Sequence, residues 1–128
     1  MREAIALAHK GYGRTSPNPM VGALLVKRGK VISEGWHKRA GAPHAEIEAI
    51  CAAANPKGAT LYVTLEPCST VGRTPSCVEA VKAAGIRRVV VAATDPNPAH
   101  AGRAFRRFRS AGIKVNKGVL ASEASELN

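Results

Sequence analysis

The chain has 128 residues, the length of one domain with its own core, and it carries a formal net charge of +10. Its apolar runs are too short to cross a bilayer, and its first residues form an amphipathic stretch rather than a signal peptide. Three cysteines favour a reducing compartment and metal ligation over a disulfide framework. We therefore expect one cytoplasmic domain, residues 1–128, with no membrane partner and no second domain within this chain.

The hydrophobic spacing predicts helices and strands in the order α-β-β-α-β-α-β-α-β. The predicted helices cover residues 2–10, 44–54, 75–84 and 101–111, and the predicted strands cover 21–26, 31–36, 59–65, 89–93 and 113–115. Because helices join the last three strands, we expect those strands to pair in parallel through right-handed crossovers. The predicted fold is an α/β domain of three layers, α/β/α, with a five-stranded mixed sheet and helices on both of its faces.

Two proline-stiffened loops follow predicted elements. Asn18 stands between Pro17 and Pro19, which hold it extended, and its amide offers a donor and an acceptor to a heterocycle or a sugar. Asp95 and Asn97 occupy a second loop of this kind, directly after the fourth strand. Each loop is interpreted as a stiff turn unless it borders a functional site.

The residues that carry chemistry are His44, Glu46, Cys68 and Cys77. Two thiolates and a neutral imidazole hold three corners of a tetrahedral zinc site and leave the fourth corner to water. Zinc lowers the pKa of that water towards neutrality, and a neighbouring carboxylate carries protons from the water to a leaving group. The pattern H-x-E, followed by P-C and a further cysteine, is typical of zinc deaminases that act on nucleobases.

Other roles for these side chains stay open at this point. A closed structural zinc site needs a fourth protein ligand, for which His37, His9 and His100 are the candidates. A core histidine with buried thiols is a further alternative. Cys51 lies in an apolar helical run, and we expect it to be a small buried thiol. The arginines of the last predicted helix fit phosphate contacts or a solvated face, and we favour the solvated face.

The step from Cys68 to Cys77 is wider than the P-C-x-x-C of many base deaminases, and it contains Gly72-Arg73-Thr74. This segment closely resembles the diaminohydroxyphosphoribosylaminopyrimidine deaminases of riboflavin biosynthesis, within the cytidine-deaminase-like zinc deaminases. The other shared motifs are Thr15-Ser16-Pro17-Asn18-Pro19, Val21-Gly22, His44-Ala45-Glu46, Asp95-Pro96-Asn97-Pro98 and Glu123 to Asn128. The resemblance spans nearly the whole chain and implies a cytidine-deaminase-like fold.

The resemblance also implies a reaction and a set of site residues. The reaction is the hydrolytic loss of the 2-amino group of 2,5-diamino-6-ribosylamino-4(3H)-pyrimidinone 5′-phosphate, which yields 5-amino-6-ribosylaminouracil 5′-phosphate and ammonia. Zn²⁺ is implied as the cofactor, with His44, Cys68 and Cys77 as its ligands and Glu46 as the proton carrier. The residues implied for substrate binding are Asn18, His37, Thr70, Arg73, Asp95 and Asn97.

Two of these substrate positions carry a specific expectation. Arg73 is assigned to the substrate phosphate because its planar guanidinium offers several donors. Thr70 stands where the family usually has histidine, so one polar contact is expected to be shorter or lost.

Partners and alternatives follow from the same resemblance and from the charge. Bacterial members of the family typically continue into an NADPH-dependent reductase, so we expect a separate or fused reductase, and the chain fits a stand-alone deaminase or an excised domain. The fold class also predicts a homo-oligomer. The positive charge permits a nucleoside or a nucleic acid as the alternative substrate. A non-catalytic zinc-stabilised subunit is the third hypothesis, and the presence of Glu46 argues against it.

Overall fold

A computed structural model of the chain describes residues 1–70 and 76–128. The elements are α1 Arg2–His9, β1 Gly22–Lys27, β2 Lys30–Trp36, α2 Ala45–Ala52, β3 Thr60–Leu65, α3 Cys77–Ala83, β4 Arg88–Ala93, α4 Arg103–Ser110, β5 Lys114–Lys117 and α5 Ala121–Ser125. The first nine follow the predicted order. Helix α5 was not predicted, because five residues are too few to display a helical period. None of the helices in the two described ranges is long and apolar enough to span a membrane.

The five strands form one mixed sheet in the order β2-β1-β3-β4-β5. Strand β1 pairs antiparallel with β2 and β3, whereas β3 pairs parallel with β4, and β4 with β5. Arg28 and Gly29 connect β1 to β2 with positive φ angles of 54° and 75°, the geometry of a tight hairpin turn. The predicted parallel pairing of the last three strands is confirmed. A helix connects each pair of these strands, as a parallel connection requires.

The main core lies between one face of the sheet and helices α2, α3 and α4. Phe105 and Phe108 of α4 are fully buried there, which confirms their prediction as core residues. The other face carries two smaller clusters, one with α1 and one with α5. Adjacent residues of a strand point to opposite faces of the sheet. Leu25 accordingly belongs to the main core, whereas Leu24 belongs to the cluster with α1 on the other face. The three-layer α/β/α prediction is confirmed.

Two local predictions concern the start of α3 and the burial of Cys51, and the second of them was wrong. Helix α3 begins at Cys77, and Ser76 is its N-cap, with Oγ accepting the Glu79 N–H at 3.3 Å. The prediction that Pro75 is the first residue of this helix falls outside the described residues. Cys51 is exposed rather than buried. The reason is helical phase, because the buried line of α2 runs through Ala49 and Cys51 lies two residues further, on the opposite side.

Helix α2 packs against β2 at Gly35. A Cβ added to Gly35 would overlap the Ala45 carbonyl oxygen and lie 2.5 Å from the Ala49 nitrogen. We expect Gly35→Ala to lower the free energy of unfolding by about 1–3 kcal/mol, because the helix must move off the sheet and loosen the core. Urea unfolding followed by circular dichroism measures this loss. Unchanged stability would mean that α2 can shift without cost.

Candidate metal centre and active site

Three side chains meet where α2 and α3 begin and β3 ends. His44 is the N-cap residue of α2, Cys77 is the first residue of α3, and Cys68 follows β3. The Nδ1 atom of His44 lies 3.1 Å from Cys77 Sγ and 3.8 Å from Cys68 Sγ. All three atoms lie within 4.8 Å of one another. Cys68 and Cys77 are 24 and 33 positions from His44 along the chain, and the fold brings all three side chains together.

The two nitrogen–sulfur separations lie on either side of the value for a tetrahedral zinc ion. Ordinary zinc bond lengths place a nitrogen and a sulfur ligand about 3.6 Å apart and two sulfur ligands about 3.8 Å apart. Two cysteines and a histidine are also the donor set of a catalytic zinc site whose fourth position is open. The cluster can therefore hold zinc. Within residues 1–70 and 76–128 no fourth ligand joins it, so the structure does not form the closed site that His9, His37 or His100 would complete.

The cluster favours a thiolate at Cys68. Hydrogen bonds from the Cys77 thiol and then from His44 lower the pKa of Cys68 to about 4. The backbone N–H of Cys77 also donates to Cys68 Sγ at 3.2 Å. The hydrogen bond to Cys68 in turn raises the pKa of His44. An anionic sulfur beside a second thiol and an imidazole suits a divalent cation.

Glu46 is the buried carboxyl group of the site. It lies in the first turn of α2, two residues after His44, and is 3% exposed. Burial raises its pKa above the usual value for a glutamate. A carboxyl group in such surroundings can accept a proton and return it near neutral pH. Glu46 thus has the position and the surroundings that a proton carrier needs.

The cluster opens into a cleft of about 540 Å³, a size that suits a small molecule. Three of the residues predicted to bind substrate line this cleft, namely Asn18, His37 and Asp95. His37 is buried, and its ring stands edge-on to that of His44 with the centroids 5.6 Å apart. The two proline-stiffened loops therefore border the site.

The other three predicted residues are placed differently. Asn97 does not belong to the described wall of the cleft; its Oδ1 accepts the Ala99 N–H at 3.0 Å, and its own N–H donates to Asp95 at 2.9 Å. It therefore shapes the loop that carries Asp95. Thr70 is exposed and is likewise absent from the described wall. Arg73 lies outside the described residues.

Two residues at the site were missed by the sequence analysis. Glu66 is buried between β3 and Cys68, and the only signal in the sequence was its place beside Pro67-Cys68. Asn128 lines the cleft through a side-chain amide that pairs with Met20, accepting its N–H at 2.7 Å and donating to its carbonyl at 3.3 Å. No local pattern could have found this pair, because 108 positions separate its members.

Residues 1–93 match a known protein family, the cytidine and deoxycytidylate deaminase zinc-binding region. The match covers well over half of the chain and includes all three residues of the metal cluster. The chain belongs to this family of zinc deaminases. The predicted membership of the zinc deaminases is thereby confirmed, and the family match agrees with a metal cluster that can hold zinc.

Individual relatives of the chain carry more specific names. It is 54% identical over its whole length to riboflavin biosynthesis protein RibD of Aquifex aeolicus and covers 36% of that protein. It is 43% identical to the diaminohydroxyphosphoribosylamino-pyrimidine deaminase of Buchnera aphidicola subsp. Schizaphis graminum and covers 88% of it. The chain thus spans about a third of the length of the first relative and most of the second.

A solved structure supports the same assignment. The diaminohydroxyphosphoribosylaminopyrimidine deaminase/5-amino-6-(5-phosphoribosylamino)uracil reductase of Thermotoga maritima matches with a TM-score of 0.94 and 48% identity. The match covers 99% of this chain and 37% of the Thermotoga chain. The predicted cytidine-deaminase-like fold and the predicted resemblance to riboflavin-pathway deaminases are confirmed.

Proposed function

We propose that the chain deaminates 2,5-diamino-6-ribosylamino-4(3H)-pyrimidinone 5′-phosphate by hydrolysis, giving 5-amino-6-ribosylaminouracil 5′-phosphate and ammonia. The observation that carries the proposal is the 43% identity to a Buchnera protein named for this deaminase, of which the chain covers 88%. The metal cluster and the buried carboxyl group at the cleft supply the chemistry that such a hydrolysis requires. The reaction is a step of riboflavin biosynthesis.

In this proposal His44, Cys68 and Cys77 hold zinc, and Glu46 is the catalytic carboxylate. When bound, zinc lowers the pKa of a water towards neutrality and so makes a nucleophile available at physiological pH. Glu46 accepts a proton from the attacking water on a carboxylate oxygen and gives it to a ring nitrogen of the substrate. It then accepts the second proton of that water, from the new hydroxyl group, and delivers it to the departing amine, so that a carbonyl group and ammonia are formed. Its burial helps this cycle, because the proton is not lost to bulk water.

The hydrogen bonds of His37 set which atom Asn18 offers to the substrate. The Pro43 carbonyl can only accept, so the Nδ1 atom of His37, 3.1 Å away, carries the proton and Nε2 is an acceptor. The Nδ2 atom of Asn18 lies 3.3 Å from that Nε2 and donates to it. The amide oxygen of Asn18 is left to accept a hydrogen bond in the cleft. An acceptor suits the ring N–H and amino groups of the proposed substrate.

Removing this acceptor is expected to weaken substrate binding. We expect Asn18→Ala to raise the KM by about ten-fold, because one hydrogen bond to the substrate is lost, and to change kcat less. Steady-state kinetics with the proposed substrate measures both constants. Ser16→Ala, at an exposed position in the same loop, is the matched control and should leave the KM unchanged. An unchanged KM in Asn18→Ala would remove this residue from the binding site.

The remaining substrate residues are proposed from the motif match. Arg73 is assigned to the substrate phosphate. Asp95 lines the cleft, and Asn97 holds the loop that carries Asp95 through a hydrogen bond. Thr70 completes the proposed set, with a shorter polar side chain than the family's usual histidine.

The proposal extends to partners and compartment. A reductase, fused or separate, is the proposed consumer of the product, because the Thermotoga relative combines both activities in its name. The three cysteines are free, which supports a reducing cytoplasm. A homo-oligomer stays a prediction, and light scattering after size-exclusion chromatography tests it.

The deciding experiment is ammonia release, measured before and after zinc chelation. The diamino-ribosylaminopyrimidine phosphate, cytidine and an RNA hairpin that contains adenosine are assayed in parallel. Zinc-dependent release from the first substrate alone is the expected result. Release only from cytidine or RNA would overturn the substrate assignment, and a steep salt dependence would then identify a nucleic-acid substrate. Silence on all three would favour the non-catalytic subunit.

A further inference from the structure

Glu66 is a buried carboxylate that the reaction does not use. It is 5% exposed and accepts three backbone hydrogen bonds. Its Oε1 atom accepts from the N–H of Asp95 at 3.1 Å and of Gly102 at 3.0 Å, and Oε2 accepts from the N–H of Ala104 at 3.1 Å. No cation pairs with it among the described residues. Backbone N–H groups therefore replace the water that this charge gives up on burial.

These donors come from two segments that follow β3 in the chain, the loop after β4 and the start of α4. Gly102 and Ala104 lie at the N-terminus of α4, where free N–H groups and the helix dipole favour a negative charge. Asp95 lies in the loop after β4 that borders the cleft. One side chain thus joins the end of β3, the start of α4 and a loop of the cleft.

A second contact ties the segment that carries Cys68 to α4. Arg107, further along α4, donates to the carbonyl oxygen of Ser69. Glu66 and Ser69 flank Pro67 and Cys68, so the segment that carries the metal-ligating thiol is tied to α4 both before and after it. The proline restricts the backbone between these two ties.

We propose that Glu66 is a positioning residue of the metal centre, which sets zinc affinity by holding Cys68 against α4. The inference depends on the zinc centre of the proposed function and not on the identity of the substrate. A metal site binds tightly only if its ligand atoms are held in place, and loss of supporting contacts typically weakens metal binding 10–100-fold. Glu66 provides three such contacts within two residues of a ligand.

Glutamine at this position tests the geometry with almost no change in size. A carboxylate accepts at both oxygens, whereas an amide has one acceptor and one donor. If the amide nitrogen replaces Oε2, it faces the Ala104 N–H; if it replaces Oε1, it faces two N–H groups. Either orientation places donor against donor, so Glu66→Gln must move the loop or leave N–H groups unpaired.

The test is the zinc dissociation constant, measured by competition with a chromophoric chelator well below the unfolding temperature. We expect Glu66→Gln to bind zinc about 10–100-fold more weakly than the unaltered chain. Phe108→Leu is the matched control, because it weakens α4 through the main core and touches neither tie. It should lower the unfolding temperature and leave zinc affinity unchanged.

The possible outcomes separate positioning from general stability. Unchanged zinc affinity in Glu66→Gln, with a lowered unfolding temperature, would overturn the proposal and leave Glu66 as a structural support only. If Glu66→Gln does not fold, Glu66→Asp keeps the charge but shortens the reach, and weaker zinc binding by that variant supports the proposal while full affinity overturns it. A failed substrate assignment does not affect these results, because no substrate is present.

Discussion

Glu46→Gln is expected to lower kcat by a factor of about 10²–10⁴ while the chain keeps its fold and its zinc. The amide has nearly the shape of the carboxyl group, so the first turn of α2 and the neighbouring His44 remain in place. It cannot accept and return a proton, and at 3% exposure little bulk water reaches the position to act instead. Ammonia release under saturating substrate measures kcat, and metal analysis of the same sample measures zinc.

Glu48→Gln is the control that the chain itself offers. Glu48 lies on the same helix, two residues further, and its carboxylate pairs with Lys38 at 3.3 Å near the surface. An ion pair of this kind contributes little, so kcat is expected to be unchanged. Full activity in Glu46→Gln would show that the proton carrier is another group.

Cys68→Ser is expected to abolish stoichiometric zinc binding and, with it, zinc-dependent turnover. A serine hydroxyl stays protonated at neutral pH and offers zinc a far weaker ligand than a thiolate. The chain is expected to remain folded, because the main core packs the sheet against α2, α3 and α4 without help from this side chain. Metal analysis after gel filtration gives the zinc content, and circular dichroism reports the fold.

Cys51→Ser separates ligation from a general effect of removing a thiol. Cys51 is exposed and lies outside the metal cluster, so its loss should leave one zinc per chain. If Cys51→Ser lost zinc and Cys68→Ser retained it, the assignment of the cluster would be wrong.

The sequence alone predicts the layers of the fold and the metal cluster for a clear physical reason. Periods of two and of 3.6 residues report which side of a strand or helix is buried, and they identified nine elements in the right order. The three residues of the metal cluster are predicted from residue type and motif, because few kinds of side chain bind zinc. Cys51 shows the limit of the method, since it was assigned to the buried side of α2 and lies on the opposite, exposed side.

Long-range polar contacts could not be predicted in the same way. Glu66 meets partners 29 to 38 positions away, and Asn128 meets Met20 across 108. Such pairs depend on how loops come together after folding, which no local pattern contains. The sequence also could not predict which atom of the Asn18 amide faces the cleft. That orientation depends on which nitrogen of His37 carries the proton, and the Pro43 carbonyl determines this.

The two faces of the sheet are covered by hydrophobic clusters of unequal size. His44 and Cys77 of the metal cluster stand at the starts of α2 and α3, which pack in the large core, whereas α1 and α5 each rest on a small hydrophobic cluster. Local opening requires least free energy where few apolar contacts are lost. The loop that contains Asn18 follows α1, and Asn128, whose side-chain amide is hydrogen-bonded to Met20, follows α5. We therefore expect local opening to begin in this outer layer, at the mouth of the cleft, before it reaches the metal cluster.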